Sequence, residues 1–329
     1  MKAFIKSISL YIPKNKISNQ DIANKFPEWD SDKILNKIGV ENRYITDKDE
    51  YVSDIATKVI NKLIEENSID KNSIDFLILC TQSPDYFLPT TACIVQNMAN
   101  LNTNCAAVDI NQGCSGYIYG LSLANALVIS GTAKNVLLVT AETYSKYIHE
   151  SDKGNISIFG DAATATLISD NGELEILKFS LGTDGKGAEN LIVKNGAVKN
   201  RGNSDSSDLN NYLYMNGSEI FDFTVRTIPS LVSENLEKNS FTQEEIDTYI
   251  FHQANAYMLN FLRKKINIPQ ENFILNMLNY GNTVSSTIPI ALKNTLSTKK
   301  VDKVMLVGFG VGYSWGAVCL KKNEKKSFN

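Results

Sequence analysis

Ile74-Asp75-Phe76-Leu77-Ile78-Leu79-Cys80 and Ile246-Asp247-Thr248-Tyr249-Ile250-Phe251 decide how this chain is built. Each is a nearly continuous apolar run behind a polar turn, the pattern of a buried strand in an α/β sheet. Around both runs the same order of elements is written. Ahead of the first, Val52, Ile55, Ala56, Val59, Ile60, Leu63 and Ile64 follow the i, i+3, i+4, i+7 rule. That spacing predicts an amphipathic helix over 51–66, with Ser53 or Asp54 near its N-cap. Ahead of the second, a helix is predicted over 220–236, followed by the capping-box pattern Thr242-x-x-Glu245. Downstream of the first run come a strand at 106–110, a small-residue helix over 114–130, and strands at 136–139 and 162–168. Downstream of the second, 304–307 echoes 136–139 and 316–320 echoes 162–168. The offsets nearly agree: Ile246 follows Ile74 by 172 positions and Val304 follows Val136 by 168. Matching order and offset point to a duplicated α/β unit, divided as 1–172 and 173–329, with layered sheets covered by helices. The stretch 182–217, rich in Gly, Asn, Ser and Asp, connects the halves, with 199–211 expected as a mobile surface loop.

Composition narrows the functional classes. The 329 residues are 43% hydrophobic, enough for substantial cores. A net charge of −3 lacks the basic excess of nucleic-acid-binding proteins. The five cysteines include no CxxC pair and none has a histidine nearby in sequence, so neither a zinc site nor a disulfide framework is expected. Lysine interrupts the first apolar residues after Met1, which is unlike a signal peptide, and no run approaches the ~18 apolar residues of a membrane span. A soluble, cytoplasmic protein without a metal is expected.

Chemistry concentrates at strand ends. Asn111-Gln112-Gly113-Cys114-Ser115-Gly116 lies between a strand and a helix, where unpaired N–H groups and the helix dipole favour a thiolate. Gly113 and Gly116 leave room for a carbonyl to approach Cys114. The remaining cysteines, Cys80, Cys93, Cys105 and Cys319, read as buried core residues. Only two histidines exist. His149 stands in a polar stretch, whereas His252 directly follows the second buried run, at a strand's C-terminal end. It is therefore the one good partner for Cys114. Asn282, in Tyr280-Gly281-Asn282-Thr283, would by itself read as a turn residue. Gly308-Phe309-Gly310-Val311-Gly312 follows another strand and can point backbone N–H groups into a site, but it matches no Rossmann or P-loop spacing.

Together the Cys114 turn, His252-Gln253-Ala254-Asn255, Gly281-Asn282-Thr283 and the C-terminal glycine loop resemble the β-ketoacyl-acyl carrier protein synthase III family of thiolase-like condensing enzymes. The resemblance runs from Gly39-Val40-Glu41-Asn42-Arg43 to Gly312-Tyr313-Ser314-Trp315-Gly316. It implies a thiolase-like five-layered αβαβα fold of two duplicated halves, a homodimer, acyl carrier protein as partner, and no cofactor. It implies a catalytic triad of Cys114, His252 and Asn282, and an oxyanion hole from the backbone of Cys114 and Val311. The implied reaction is a decarboxylative Claisen condensation of an acyl thioester with malonyl-acyl carrier protein through an acyl-cysteine. Substrate contacts are implied at Leu88, Phe309, Asn255, Lys153 and Ile34, and carrier docking at Arg263, Lys264 and Lys265. The chain departs from the family in four places. Val311 stands where the family has an oxyanion glycine. Tyr257 stands where a docking arginine is expected. A tryptophan that stacks on coenzyme A is expected near Ile34, with Trp29 close but out of register. That tryptophan's arginine partner falls at Lys153. The donor is thus open between coenzyme A and a carrier protein. Competing readings are an acyltransferase with a hydroxyl or amine acceptor, a cysteine hydrolase, and a silent binding homologue.

Overall fold

The structure is a computed structural model that describes residues 1–200 and 207–323. Positions 201–206, within the expected loop 199–211, lie outside the described residues. The N-terminal elements are β1 (Phe4–Tyr11), β2 (Asn15–Ser18), α1 (Asn19–Lys25), α2 (Ser31–Ile38), β3 (Asn42–Ile45), α3 (Val52–Glu66) and β4 (Phe76–Cys80). They continue with α4 (Thr91–Met98), β5 (Ala106–Ile110), α5 (Gly116–Ile129), β6 (Asn135–Glu142), α6 (Lys153–Ile158) and β7 (Ala162–Ser169). After the midpoint come β8 (Leu174–Thr183), β9 (Leu191–Val193), β10 (Leu213–Met215), α7 (Gly217–Asn239), β11 (Thr248–Phe251), α8 (Ala256–Ile266), α9 (Thr287–Thr298), β12 (Lys303–Gly310) and β13 (Ser314–Lys322).

The sheet order β11-β12-β13-β8-β1-β7-β6-β4-β5 repeats itself about the β8–β1 seam. In the first half β4 runs parallel to β6, and β6, β7 and β1 are successively antiparallel. In the second half β11 runs parallel to β12, and β12, β13 and β8 are successively antiparallel. Even β5, parallel to β4, has a vestigial counterpart in the parallel bridge from Tyr249 to Phe273. The two half-sheets pair directly along β1 and β8, through Phe4 with Glu175 and Ile5 with Leu174.

Five layers follow from where the apolar faces go. One core packs α3 and α4 on the outer face of the first half; another packs α1, α2, α7 and α8 on the outer face of the second. Between the half-sheets, α5 and α9 form the central layer with Tyr117, Leu121, Ile288 and Leu292 fully buried. The aliphatic stripe Val52, Ile55, Val59, Ile60 and Leu63 of α3 is wholly buried, worth on the order of 1.5–3 kcal/mol per side chain.

Three local expectations change. The N-cap of α3 is Tyr51, because the Asp54 carboxylate accepts the Tyr51 N–H at 2.8 Å and so sits at the third helical position. Thr242 N–H does reach the Glu245 carboxylate, at 2.8 Å, but the bond closes a turn before β11 and starts no helix. Cys93 is exposed, on the outer side of α4, while the other four cysteines are buried and all five are free.

Candidate active site

Cys114 lies in the turn joining β5 to α5, closed by the Gly116 N–H to the Gly113 carbonyl at 2.8 Å. The β12–β13 loop packs directly on it. A Cβ at Gly310 would lie 2.8 Å from Cys114 Cβ and 2.9 Å from Sγ, so only glycine lets this strand end approach the sulfur. The backbone N–H groups of Val311 and of Cys114 itself favour the ionised form of the sulfur, against the effect of burial. Val311 needs no unusual backbone to do this, since the positive φ falls on its neighbour Gly312, at 130°. Ser314 clamps the loop: its hydroxyl donates to the Val311 carbonyl at 2.8 Å and lies 2.7 Å from the Ser115 hydroxyl.

His252 continues β11. Its N–H bonds the Val307 carbonyl of β12 at 2.8 Å, so the strand that brings Gly310 to Cys114 also fixes the histidine. Gln253 anchors the segment, its amide donating to the Phe251 carbonyl at 2.6 Å and accepting the Asn276 N–H at 2.6 Å. The imidazole packs edge-on against Phe309, with centroids 5.7 Å apart, and Nδ1 lies 2.7 Å from the Thr287 hydroxyl. Asn282 follows Gly281, whose φ of +67° turns the chain where a Cβ would strike the Ile158 carbonyl at 2.7 Å. The Asn282 backbone then bonds Ile158 O at 2.8 Å and receives Gly160 N–H at 3.0 Å. Its side-chain oxygen accepts the Val284 N–H at 2.9 Å, which leaves the Nδ2 amino group as the free, donating end. Val284 holds φ +54°, a strained value for a β-branched residue, and packs in one cluster with Cys114.

Burial dominates the electrostatics. His252 is 2% exposed and desolvation pushes its pKa down to about 3. Desolvation, reinforced by the Glu142 carboxyl, pushes the Cys114 thiol up to about 12. Burial thus favours a thiol and a neutral imidazole, working against the thiolate that the helix N-terminus favours. Glu142 is itself fully buried beneath the site, with Ser285 Oγ at 2.7 Å, Gln82 N at 3.1 Å and Ser83 Oγ at 3.2 Å donating to it. Burial raises it to about 8 despite those three donors. Beside Cys114 stands an apolar wall of Tyr144, Phe159, Leu191, Leu213 and Val284.

The other expected site residues are scattered. Ile34 is 2% exposed in the core beneath α2, so it cannot stack on a ligand: the amphipathic period of that helix turns it inward. Lys153 Nζ lies 6.0 Å from the Trp29 ring centre and 2.8 Å from Glu28, so the tertiary fold joins an aromatic face and a cation that sequence register separates. Leu88 is 82% exposed and does not reach Cys114 within one chain. Asn255 caps α8, accepting the Met258 N–H at 2.8 Å. Arg263 folds back to the Ile268 carbonyl at 3.2 Å, while Lys264 and Lys265 point to solvent. Sequence reasoning missed Thr287, Val284, Glu142 and Tyr144. Val284 lies in the turn after Asn282 and Thr287 opens α9, but no local pattern marks either. Among the described residues no cluster of His, Cys, Asp or Glu suits a metal ion, and no helix is long and apolar enough to cross a membrane.

Comparison with known proteins bears directly on this geometry. Residues 108–185 match the profile of 3-oxoacyl-[acyl-carrier-protein (ACP)] synthase III, and residues 236–322 match the C-terminal profile of the same enzyme. A Clostridium perfringens beta-ketoacyl-[acyl-carrier-protein] synthase III is 39% identical over 317 residues, covering 95% of this chain and 97% of that protein. A crystal structure of a 3-oxoacyl-(acyl-carrier-protein) synthase III superposes with a TM-score of 0.94 at 42% identity, over 98% of this chain and all of that one. The Thermus thermophilus synthase III superposes at 0.88 with 34% identity, over 97% of this chain and 98% of that one.

Proposed function

Since the chain belongs to the 3-oxoacyl-[acyl-carrier-protein] synthase III family, we propose that it performs that family's condensation through Cys114, His252 and Asn282. It is an acyltransferase of the condensing type, joining an acyl thioester to malonyl-acyl carrier protein with loss of CO₂. Cys114 Sγ attacks the donor carbonyl, and the oxyanion meets the N–H groups of Cys114 and Val311. The donor's C–S bond breaks and its thiol leaves. The malonyl thioester then loses CO₂, and its enolate oxygen is held between the Asn282 amino group and the His252 ring. The carbanion attacks the acyl-cysteine, and the returning thiolate takes up one proton. Every bond change lies between thioesters, so the chemistry calls for neither a metal nor a redox cofactor.

One observation carries this reading above all. The Val284 N–H holds the Asn282 side-chain oxygen, which leaves the Nδ2 amino group as the unengaged, donating end of the asparagine. A neutral donor suits an enolate oxygen, whereas a serine-hydrolase-type triad would use a carboxylate. The deciding experiment is intact-mass analysis with a panel of acyl-coenzyme A and acyl-carrier donors, followed by malonyl-carrier addition. A mass gain absent in Cys114→Ala, discharged with one CO₂ per turnover, supports the reading. Acyl transfer to hydroxyls or amines without CO₂ would overturn it.

We further propose a homodimer that pairs along β5. This strand ends the sheet with Ala106 and Val108 exposed, and Tyr86, Phe87 and Leu88 add an exposed apolar stretch. Lys264 and Lys265 fit a docking role for the acidic carrier.

A further inference from the structure

We propose that Thr287 is a positioning residue that keeps a proton on His252 Nδ1 and leaves Nε2 as a bare acceptor for the Cys114 thiol proton. This rests on the reading of Cys114 and His252 as reaction partners. The case begins with one hydroxyl and two contacts. Thr287 Oγ1 lies 3.1 Å from the Val284 carbonyl oxygen and 2.7 Å from His252 Nδ1. A hydroxyl has a single proton, and a carbonyl oxygen can only accept. Both contacts become hydrogen bonds only when Thr287 donates to Val284 and accepts from Nδ1–H. The opposite arrangement, with the hydroxyl donating into Nδ1, gives up the Val284 bond in a fully buried setting. One additional net hydrogen bond favours the Nδ1–H tautomer by about fivefold.

Val284 thereby orients two groups at once. Its N–H makes Asn282 a donor, and its carbonyl, through Thr287, makes Nε2 an acceptor. Asn282 then offers a donor and His252 an acceptor, which is what a thiol and a thioester carbonyl together require. In acyl transfer the Cys114 S–H proton passes to Nε2 as the new C–S bond forms. The donor's C–S bond breaks, and its thiolate takes that proton from Nε2 on leaving. In condensation one proton from solvent is consumed per turnover; it joins Nε2 only as the enolate charge develops beside the ring, and it ends on the Cys114 sulfur. Nδ1 keeps its proton throughout.

Because the chain holds only two histidines, ¹⁵N-histidine labelling reads the tautomer directly, with His149→Gln assigning the pair. At pH 7 the wild-type His252 should show a protonated Nδ1 and an unprotonated Nε2; an Nε2–H tautomer or an imidazolium overturns the proposal without any further variant. Thr287→Val should give mixed tautomers and slow acyl-enzyme formation by about 10- to 100-fold at a donor KM within about twofold. Thr287→Ser should restore both. A folded Thr287→Val that keeps the wild-type tautomer ratio also refutes the role. The spectrum is independent of turnover, so loss of the acyl-cysteine reading and loss of this one are told apart.

Discussion

Alkylation of Cys114 as a function of pH puts a number on the neutral resting pair. Burial that raises the thiol to about 12 leaves only a minor thiolate population at pH 7. Burial, which lowers the histidine to about 3, leaves it neutral in the resting enzyme and so without a charge to stabilise that thiolate. The other ionisable groups around the sulfur act in the same direction. Glu142 carries negative charge as it ionises near 8, and Tyr144 is buried against the cysteine and raised. The pseudo-first-order rate of iodoacetamide labelling at Cys114, followed by peptide mass spectrometry, should therefore rise about tenfold per pH unit from 6 to 9.5 without a plateau. Exposed Cys93 serves as the internal comparison in the same digest. A plateau with a midpoint below 8 would show a stabilised thiolate at rest, and the burial argument would fail.

Other outcomes follow from single contacts. Asn282→Ala removes a donor aimed at the enolate but none aimed at the acyl oxyanion. Condensation should fall by about 10²- to 10³-fold while acyl-enzyme forms at close to the wild-type rate, as stopped-flow mass analysis would separate. Gly310→Ala brings a Cβ to 2.8 Å from the Cys114 Cβ and 2.9 Å from its Sγ, so the loop must move. Acylation should drop by about 100-fold, with Tm lowered by only a few degrees in calorimetry. Lys264→Glu with Lys265→Glu should raise KM for malonyl-carrier protein by about 5- to 10-fold in low salt, and by less in high salt, leaving kcat unchanged.

What could be read from the sequence, and what could not, divides along a physical line. Buried strands and amphipathic helices write their burial into residue order, so the repeated pattern around Ile78 and Ile250 pointed to layered sheets covered by helices, while the helical layer between the sheets came from the family resemblance. Cys114 and His252 were legible for a related reason: both stand where a strand ends, and strand ends are visible in the pattern. Ile34 was misplaced because alignment with a family locates a column, whereas the face of α2 decides whether that column is wet; here it is core. Trp29 and Lys153 failed in the opposite direction, meeting in space from segments that sequence register keeps apart. Thr287 is the extreme case. Its importance lies in two distances, to His252 Nδ1 and to the Val284 carbonyl, and nothing in Ser285-Ser286-Thr287 distinguishes the third hydroxyl from the first two. The three adjacent hydroxyls in fact serve different partners. Ser285 bonds the buried Glu142, Ser286 reaches Thr140 at 2.8 Å, and Thr287 holds the histidine. A one-residue slip of this turn would exchange those assignments while preserving composition and motif. Proton placement at the site is therefore set by the register of one strained turn, which Val284 at φ +54° fixes.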